Sequence, residues 1–169
     1  MYLDALLPPG NVGAVLAALK RELFRQDGLV SSRSLPPLIP LGWYRELPVI
    51  TEEERAGRSR DYPPTPGWGA FRLEPRFREY RENFYLPVEI SLTEEGLLLP
   101  VSAESPEGTP FFPFPGIHMG SLEEAGTLPP CPEVPREALG WRRCSRVLFR
   151  VRWAQDVPWW NFLELEEVI

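Results

Sequence analysis

The sequence predicts a single α+β domain built mostly of antiparallel strands, with few helices. Its 169 residues suffice for one domain that buries most of its surface without metals or disulfides. Its 21 prolines and 13 glycines favour turns and interrupt long helices. One stretch has the spacing of a long amphipathic helix, whereas several others alternate apolar and polar residues with period two. We therefore expect one core formed by residues 1–169, in which strands and loops predominate.

The first two elements are a strand and a helix. Tyr2–Leu7 is apolar and ends at a proline-proline-glycine break, which predicts a strand. Asn11 is the expected N-cap of the helix, and Gly28 is its expected stop. One helical stripe predicts the buried face: Val12, Val15, Leu16, Leu19 and Leu23. The polar residues that lie mostly off this stripe are interpreted as a solvated face: Lys20, Arg21, Arg25 and Gln26.

The middle of the chain predicts strands separated by a surface segment. Residues 29–44 are expected to be extended. Residues 51–67 mix charges of both signs with several prolines, which predicts a surface insertion or loop. Residues 68–74 and 83–92 have the pattern of half-buried strands. The continuous apolar run at 96–102 predicts a strand covered on both faces.

The last third of the chain predicts short turns and then an antiparallel pair of strands. Ser121–Glu124 has the spacing of a capping box, followed too soon by glycine and proline for a long helix. Residues 136–139 are expected to form another short turn. Residues 146–153 and 160–168 alternate with period two and are separated by a short connection, which predicts a hairpin.

The register of this hairpin decides between two roles for its arginines. Together with a nearby tryptophan they resemble a basic and aromatic surface for single-stranded RNA. If Arg152 lies opposite Glu164, however, Arg150 lies opposite Glu166, and carboxylates neutralise the cations. The net charge of −6 also argues against nucleic acid as the main partner. We therefore expect a salt-bridged face and no nucleic-acid surface.

The reactive residues predict neither a metal site nor a cofactor. The single histidine and the two cysteines, Cys131 and Cys144, lack the spacing of zinc ligands. No run approaches the roughly 18 apolar residues that a membrane helix requires. Asp4 interrupts the start of the chain, and no basic segment precedes it, so a secretory leader is not expected. These observations predict a cytoplasmic protein without a membrane partner.

One six-residue string occurs twice. Pro37–Gly42 can be aligned with Pro115–Gly120, 78 positions later. The proline, the isoleucine and the glycine are identical, and Leu41 and Met119 are similar in size and polarity. The repeat indicates a duplicated element, and duplicated strands usually meet around a shared cleft. The side chains in that cleft decide what chemistry it can support.

Four features together resemble the two-histidine phosphoesterase superfamily, which includes the 2′-5′ RNA ligase-like proteins. These are the opening Tyr2–Pro9, the amphipathic helix, the two isoleucine-containing strings and the closing hairpin. The resemblance covers most of the chain apart from about 51–67. It implies a bilobal fold with pseudo-two-fold antiparallel sheets, one domain of two lobes. Each lobe of that family contributes a strand carrying His-x-Thr or His-x-Ser.

The family's reactive residues are missing from both strings. Leu38 stands where the first histidine belongs, and Pro40 stands where the hydroxyl belongs. In the second string Gly116 replaces the histidine, and His118 occupies the threonine position. A shifted register that uses His118 as the histidine still lacks the hydroxyl. The family chemistry needs one imidazole to accept a proton and another to donate one, so a single histidine excludes it.

We therefore expect a non-catalytic, degenerate member of this fold that holds a small molecule or a peptide in its inter-lobe groove. The expected groove lining is Leu38, Pro40, Trp43, Tyr44, Gly116, His118 and Ser121. One alternative is a phosphodiesterase or RNA-processing enzyme of altered mechanism, with His118 as general base assisted by Tyr44 or Ser121. Another is a structural or protein-interaction module with a filled cleft. An open cleft with His118 exposed favours the enzyme, and a cleft plugged by Leu38, Trp43 or Phe114 favours the module.

Overall fold

The structure is a computed structural model, and it describes residues 1–47, 69–92, 105–111 and 113–168. The predicted surface segment 51–67 and the predicted strand 96–102 lie outside the described residues. The strands are β1 (Tyr2–Leu7), β2 (Ile39–Tyr44), β3 (Gly69–Leu73), β4 (Arg78–Tyr80), β5 (Asn83–Leu92), β6 (Gly116–Ser121), β7 (Trp141–Trp153) and β8 (Leu163–Glu167). The helices are α1 (Gly10–Asp27), α2 (Ser31–Ser34) and α3 (Leu122–Ala125), with 3-10 turns at Arg136–Ala138 and Trp159–Asn161. The α+β class with few helices is confirmed.

The strands form one antiparallel sheet in which β7 is the longest member. The order is β2-β1-β7-β3-β5-β4, with β6 on β5 and β8 on β7. The beginning of β7 pairs with β3, and its later residues pair with β1 and β8. β7 therefore joins the β1–β2 pair to the β5–β6 pair. The strands β2 and β6, which carry the two strings, also lie against each other.

Helix α1 forms where the apolar stripe predicts it, and one of its ends differs from the prediction. The stripe is buried against β1, β2, β5 and β6 in the first core cluster. Gly28 ends the helix in the left-handed region at φ 68°, and its N–H donates to the carbonyl oxygen of Phe24. The prediction of Asn11 as the N-cap was wrong. The helix begins at Gly10, and Pro9 occupies the N-cap position.

The start of the predicted extended segment at 29–44 is instead a helical turn. Helix α2 follows Val30, and the Glu124 carboxylate accepts hydrogen bonds from the N–H groups of Val30 (2.7 Å) and Ser31 (2.8 Å). Glu124 caps this turn, so it does not close the predicted capping box. Ser121 forms the other half of that box, since its hydroxyl accepts from the Glu123 N–H at 3.2 Å.

The core divides into two clusters. The first contains the α1 stripe with apolar residues of β1, β2, β3, β5 and β6. The second contains Leu3 and Ala5 of β1, Trp43 of β2 and the apolar face of β7, with Phe111 among them. Because successive side chains of a strand point to opposite faces, β1 contributes to both clusters. The second cluster lies on the face where the groove is expected.

Each copy of the six-residue string forms a strand of its own, and the two strands have a bulge at the same position of the string. In β2 Leu41 has no partner on the neighbouring strand, and in β6 Met119 has none. The pairs that bracket the bulges are Ala5–Pro40 and Asp4–Gly42 in the first copy, and Tyr85–His118 and Phe84–Gly120 in the second. Both bulged residues contribute to the first core cluster. Within the described residues β2 pairs only with β1, and β6 pairs only with β5. Neither string therefore lies in the middle of the sheet.

The closing hairpin has the predicted register. Arg150 pairs with Glu166 and Arg152 with Glu164. The guanidinium of Arg150 lies 3.3 Å from the Glu166 carboxylate at an exposed position. The alternate residues of β7 point into the second core cluster and are partly covered by Leu163 and Leu165. Among the described residues no helix is both long and apolar enough to span a membrane.

Candidate functional site

The predicted groove residues do not all face the same way. Leu38 and Trp43 point into the second core cluster, where each is only 1% exposed. Tyr44 is the next residue after Trp43 in β2, so its side chain lies on the opposite face. There, burial and the Asp4 carboxylate raise the pKa of Tyr44. Its position on this face does not support an assisting role beside His118.

Gly116, at the position of the family's second histidine, has no space for a side chain. A Cβ there would lie 2.8 Å from the carbonyl oxygen of Leu86 and 2.9 Å from the ring of Phe114. Phe114 itself packs against Tyr85, with ring centroids 4.8 Å apart. The backbone oxygen cannot move aside as a flexible side chain would. Any larger residue at 116 therefore requires the β5–β6 pair to shift.

Aromatic side chains lie between the two copies, and we call Trp43, Phe111 and Trp159 the aromatic plug. The indole N–H of Trp43 donates to the carbonyl oxygen of Phe111 at 3.0 Å, and the two rings meet edge to face at 5.1 Å. Phe111 in turn lies 6.4 Å from the His118 ring and 5.2 Å from Trp159. The plug thus runs from β2 of the first copy to β6 of the second.

His118 lies beneath this plug and is 1% exposed. Its Nε2 is 3.0 Å from the side-chain oxygen of Asn83, and Trp159 meets its ring at 5.2 Å. An amide oxygen only accepts, so Nε2 carries the hydrogen, and Nδ1 lacks a partner within the described residues. Burial, followed by the nearby Lys20, lowers the pKa of His118 well below its usual value. The imidazole is therefore neutral, enclosed and engaged by Asn83.

Lys20, the only lysine of the chain, is buried directly behind His118. Its ammonium donates to the carbonyl oxygen of His118 at 2.5 Å, although the two residues are 98 positions apart. The prediction of a solvated Lys20 was wrong. Lys20 comes four residues after Leu16 and three before Leu23, so helical spacing already places it on the buried stripe. Burial lowers the pKa of Lys20 to about 7.

This burial predicts a pH-dependent stability. An unfolded lysine titrates near 10.4, whereas the folded pKa is about 7. Between these values the unfolded chain binds more protons, so stability rises with pH, and below the folded pKa the contribution is constant. From about pH 7 to about pH 9, we expect wild type to gain about 2 kcal/mol of unfolding free energy relative to Lys20→Met. Urea denaturation of both proteins measures this difference.

Arg21→Met is the matched control, because Arg21 lies on the exposed face of α1. Its difference from wild type should stay constant over the same pH range. A constant difference for Lys20→Met as well would contradict the burial of the ammonium.

Ser121, another predicted lining residue, has structural hydrogen bonds. Its hydroxyl accepts from Glu123 and also bonds the carbonyl oxygen of Glu82 at 3.4 Å. Its N–H donates to the hydroxyl of Ser31 at 2.9 Å. These contacts anchor α3 and α2 to the end of β6. Ser121 is fully buried, and its hydroxyl hydrogen bonds are made to Glu82 and Glu123 within the fold.

One surface pocket of about 560 Å³ remains at the edge of the plug. It is lined by Arg81, Glu82, Asn83, Thr109, Pro110, Phe111, Ser121, Glu123, Pro158, Trp159 and Trp160. Arg81, one of these lining residues, has a left-handed backbone at φ 53° in the turn before β5. Sequence reasoning missed Asn83, Phe111 and Trp159. The polar Asn83 at the start of an aromatic strand was the available signal for one of them.

The described residues contain no cluster of three or more histidine, cysteine, aspartate or glutamate side chains suited to a metal. Cys131 and Cys144 are both free thiols. Burial is the main cause that raises the pKa of each, and the pKa of Cys144 reaches about 11. Neither thiol is therefore activated as a nucleophile or a metal ligand.

A comparison of the chain with family models, with curated proteins and with solved structures finds no match in any of the three. The resemblance to the two-histidine phosphoesterases accordingly depends on the residues of the chain itself. The strings, their shared bulge and the four substituted motif positions are the observations that bear on it.

Proposed function

We propose that this protein is a non-catalytic interaction module on a scaffold similar to that of the two-histidine phosphoesterases, with a groove filled by its own side chains. The observation that carries the proposal is the aromatic plug, which occupies the space between the two copies and covers His118. A catalytic imidazole must reach the proton that it transfers, directly or through one water. Beneath the plug, His118 reaches Asn83 instead.

The surroundings of the plug support the same proposal. Leu38 and Pro40 are buried, and neither side chain can carry a proton. Gly116 has no space for the histidine that it replaces. The neutral His118 and the buried Lys20 offer no concentrated positive charge to a phosphodiester. The residues that hold phosphate in the family are thus replaced by residues that pack.

We expect purified protein to leave 2′,3′-cyclic nucleotides and 2′-5′-linked oligoadenylate uncleaved. The physical reason is that a buried and hydrogen-bonded imidazole cannot serve as general base for a substrate outside the plug. The measurement is product formation, followed by chromatography, with wild type and His118→Ala assayed in parallel. Equal background for both agrees with the proposal. Turnover by wild type that disappears in His118→Ala would establish the enzymatic alternative.

The pocket at the edge of the plug favours a second candidate function, which is the binding of a small molecule without turnover. Its volume of about 560 Å³ falls within the range of ligand pockets. Trp159 and Trp160 offer flat apolar surfaces at its rim, and Asn83 offers an amide. Saturable binding of a cyclic nucleotide that is lost in Trp159→Ala, without product, would favour this candidate.

A further inference from the structure

The outer edge of β8 has backbone groups that are directed away from the sheet. The Val168 N–H donates to Leu148 and the Ala154 N–H donates to Phe162, at 2.8 Å and 3.3 Å. In an antiparallel pair both backbone groups of a residue point to the same side, and this side alternates along the strand. With the register of β7 and β8, the odd-numbered residues Leu163, Leu165 and Glu167 therefore direct their N–H and C=O groups outwards. Within the described ranges no strand pairs with this edge.

The two faces of β8 differ in chemistry. Leu163 and Leu165 are partly buried against the second core cluster. Glu164 and Glu166 are exposed on the opposite face, beside a shallow pocket of about 510 Å³ that they line together with two arginines of β7. A strand added at this edge would place alternate side chains next to the glutamates and the others next to the leucines. The complementary strand therefore alternates basic and apolar residues.

A second copy of this chain does not have that pattern. If two β8 edges pair antiparallel and centre on Leu165, Glu164 of one copy faces Glu166 of the other. Like charges placed directly opposite each other are destabilising. The net charge of −6 adds repulsion between copies and attraction for a cationic segment. The glutamates thus oppose self-association at an edge that still accepts a basic strand.

We propose that β8 binds an extended basic segment of a partner protein by strand addition, with backbone hydrogen bonds at Leu163, Leu165 and Glu167. The partner's lysine or arginine side chains approach Glu164 and Glu166 from the side opposite to β7, whose Arg150 already lies 3.3 Å from the Glu166 carboxylate. Backbone bonds supply affinity in this mode of recognition, and alternate side chains supply specificity. The inference builds on the proposed interaction module and assigns a partner chemistry to it.

A fluorescent peptide in which lysine alternates with valine is the probe, and the same peptide with glutamate in place of lysine is its control. Fluorescence anisotropy with the full chain should show saturable binding of the lysine peptide only. On binding, the amides of Leu163, Leu165 and Glu167 should become protected from hydrogen exchange. Those of Glu164 and Glu166 bond β7 and should be protected before the peptide is added. No saturable binding, or binding without protection of the odd-numbered amides, overturns the inference.

Charge reversal tests the role of the glutamates. The double variant Glu164→Arg with Glu166→Arg should bind the lysine peptide about tenfold more weakly and gain binding of the glutamate peptide. Glu133→Arg with Glu137→Arg is the matched control, since it changes the charge equally at exposed positions outside β8. If both variants bind the lysine peptide equally weakly, the loss is due to net charge alone, and the proposed site on β8 is overturned.

Glu167→Pro is a second variant that keeps both partner glutamates. It removes one outward N–H, and prolines are tolerated on such edges, so circular dichroism should show the native fold while peptide affinity falls. Unchanged affinity, or a dimer of the free chain in sedimentation that competes with the peptide, contradicts strand addition by a basic partner.

The two proposals fail separately, because turnover of cyclic nucleotides refutes the non-catalytic module, whereas absent peptide binding refutes only the site on β8.

Discussion

Replacing Asp4 by alanine is expected to lower the unfolding free energy by about 3–5 kcal/mol. The Asp4 carboxylate accepts from Nε of Arg146 at 2.8 Å and 3.1 Å, and a second guanidinium nitrogen also bonds it. The two side chains are 1% and 4% exposed. Removal of the carboxylate leaves a buried guanidinium without its counter-charge, and such a charge is costly in a poorly solvated site. Urea denaturation gives the loss directly.

A double variant separates the ion pair from the space that it fills. Asp4→Leu with Arg146→Met replaces both charges by apolar groups and should be less destabilising than Asp4→Ala, because no uncompensated charge remains. Glu166→Ala is the exposed control, since its pair with Arg150 is solvated and should contribute at most about 1 kcal/mol. A loss in Asp4→Ala as small as that in Glu166→Ala would contradict the buried pair.

Replacing Trp43 by alanine is expected to cost about 3–5 kcal/mol of unfolding free energy, which is a large part of the stability of a domain of this size. Trp43 is the largest side chain that is fully buried in the described residues, and it packs against Phe111 and Trp153. Its loss opens a cavity in the plug and leaves the carbonyl oxygen of Phe111 without its donor. Chemical denaturation followed by circular dichroism measures the effect.

Trp141→Ala is the matched control for this substitution. Trp141 is 45% exposed, and its ring lies under the guanidinium of Arg72 at 5.1 Å. Its removal forfeits one surface contact, so a loss of about 1 kcal/mol or less is expected. Equal losses for the two tryptophans would show that Trp43 does not occupy a packed groove.

Local periodicity predicted the elements that have one buried face. The alternation of Arg146–Trp153 indicated which residues face the core, and the assumed pairing of Arg152 with Glu164, which implied Arg150 opposite Glu166, is confirmed. The helical stripe and Gly28 likewise specified α1. In these segments the spacing of the apolar residues alone identifies the buried face. In a strand, for example, a register shift of one residue would move all of its apolar side chains to the solvent face. The α+β class follows from the same patterns.

Contacts between distant parts of the chain could not be predicted in this way. Asp4 and Arg146 are 142 positions apart, and Glu124 caps a helical turn 94 positions before it. No local pattern identifies such partners. The predicted groove lining included Leu38 and Trp43, which lie in the second core cluster, but not Phe111 or Trp159, which reach the groove face from loops and turns. Tyr44 was included although it directly follows Trp43, so the two side chains lie on opposite faces of one strand.

The two copies of the repeated string share a backbone feature but differ in the chemistry of their side chains. Leu41 and Met119 bulge at equivalent positions, although the residues before them differ, Pro40 in the first copy and His118 in the second. In the first copy the groove face is apolar, whereas in the second it carries His118 and Ser121 as buried hydrogen-bonding groups. The result is one closed core where the resemblance implies an open groove.

The NMR titration of the His118 ring tests this closed groove most directly, because the chain has one histidine and therefore one set of imidazole signals. We expect the ring to remain neutral, with its hydrogen on Nε2, as the pH falls through 6.5, the usual pKa of histidine. Its pKa is lowered by burial, and protonation awaits a much lower pH or unfolding. An imidazole that titrates near 6.5 in the folded protein would place His118 in contact with solvent and contradict the account.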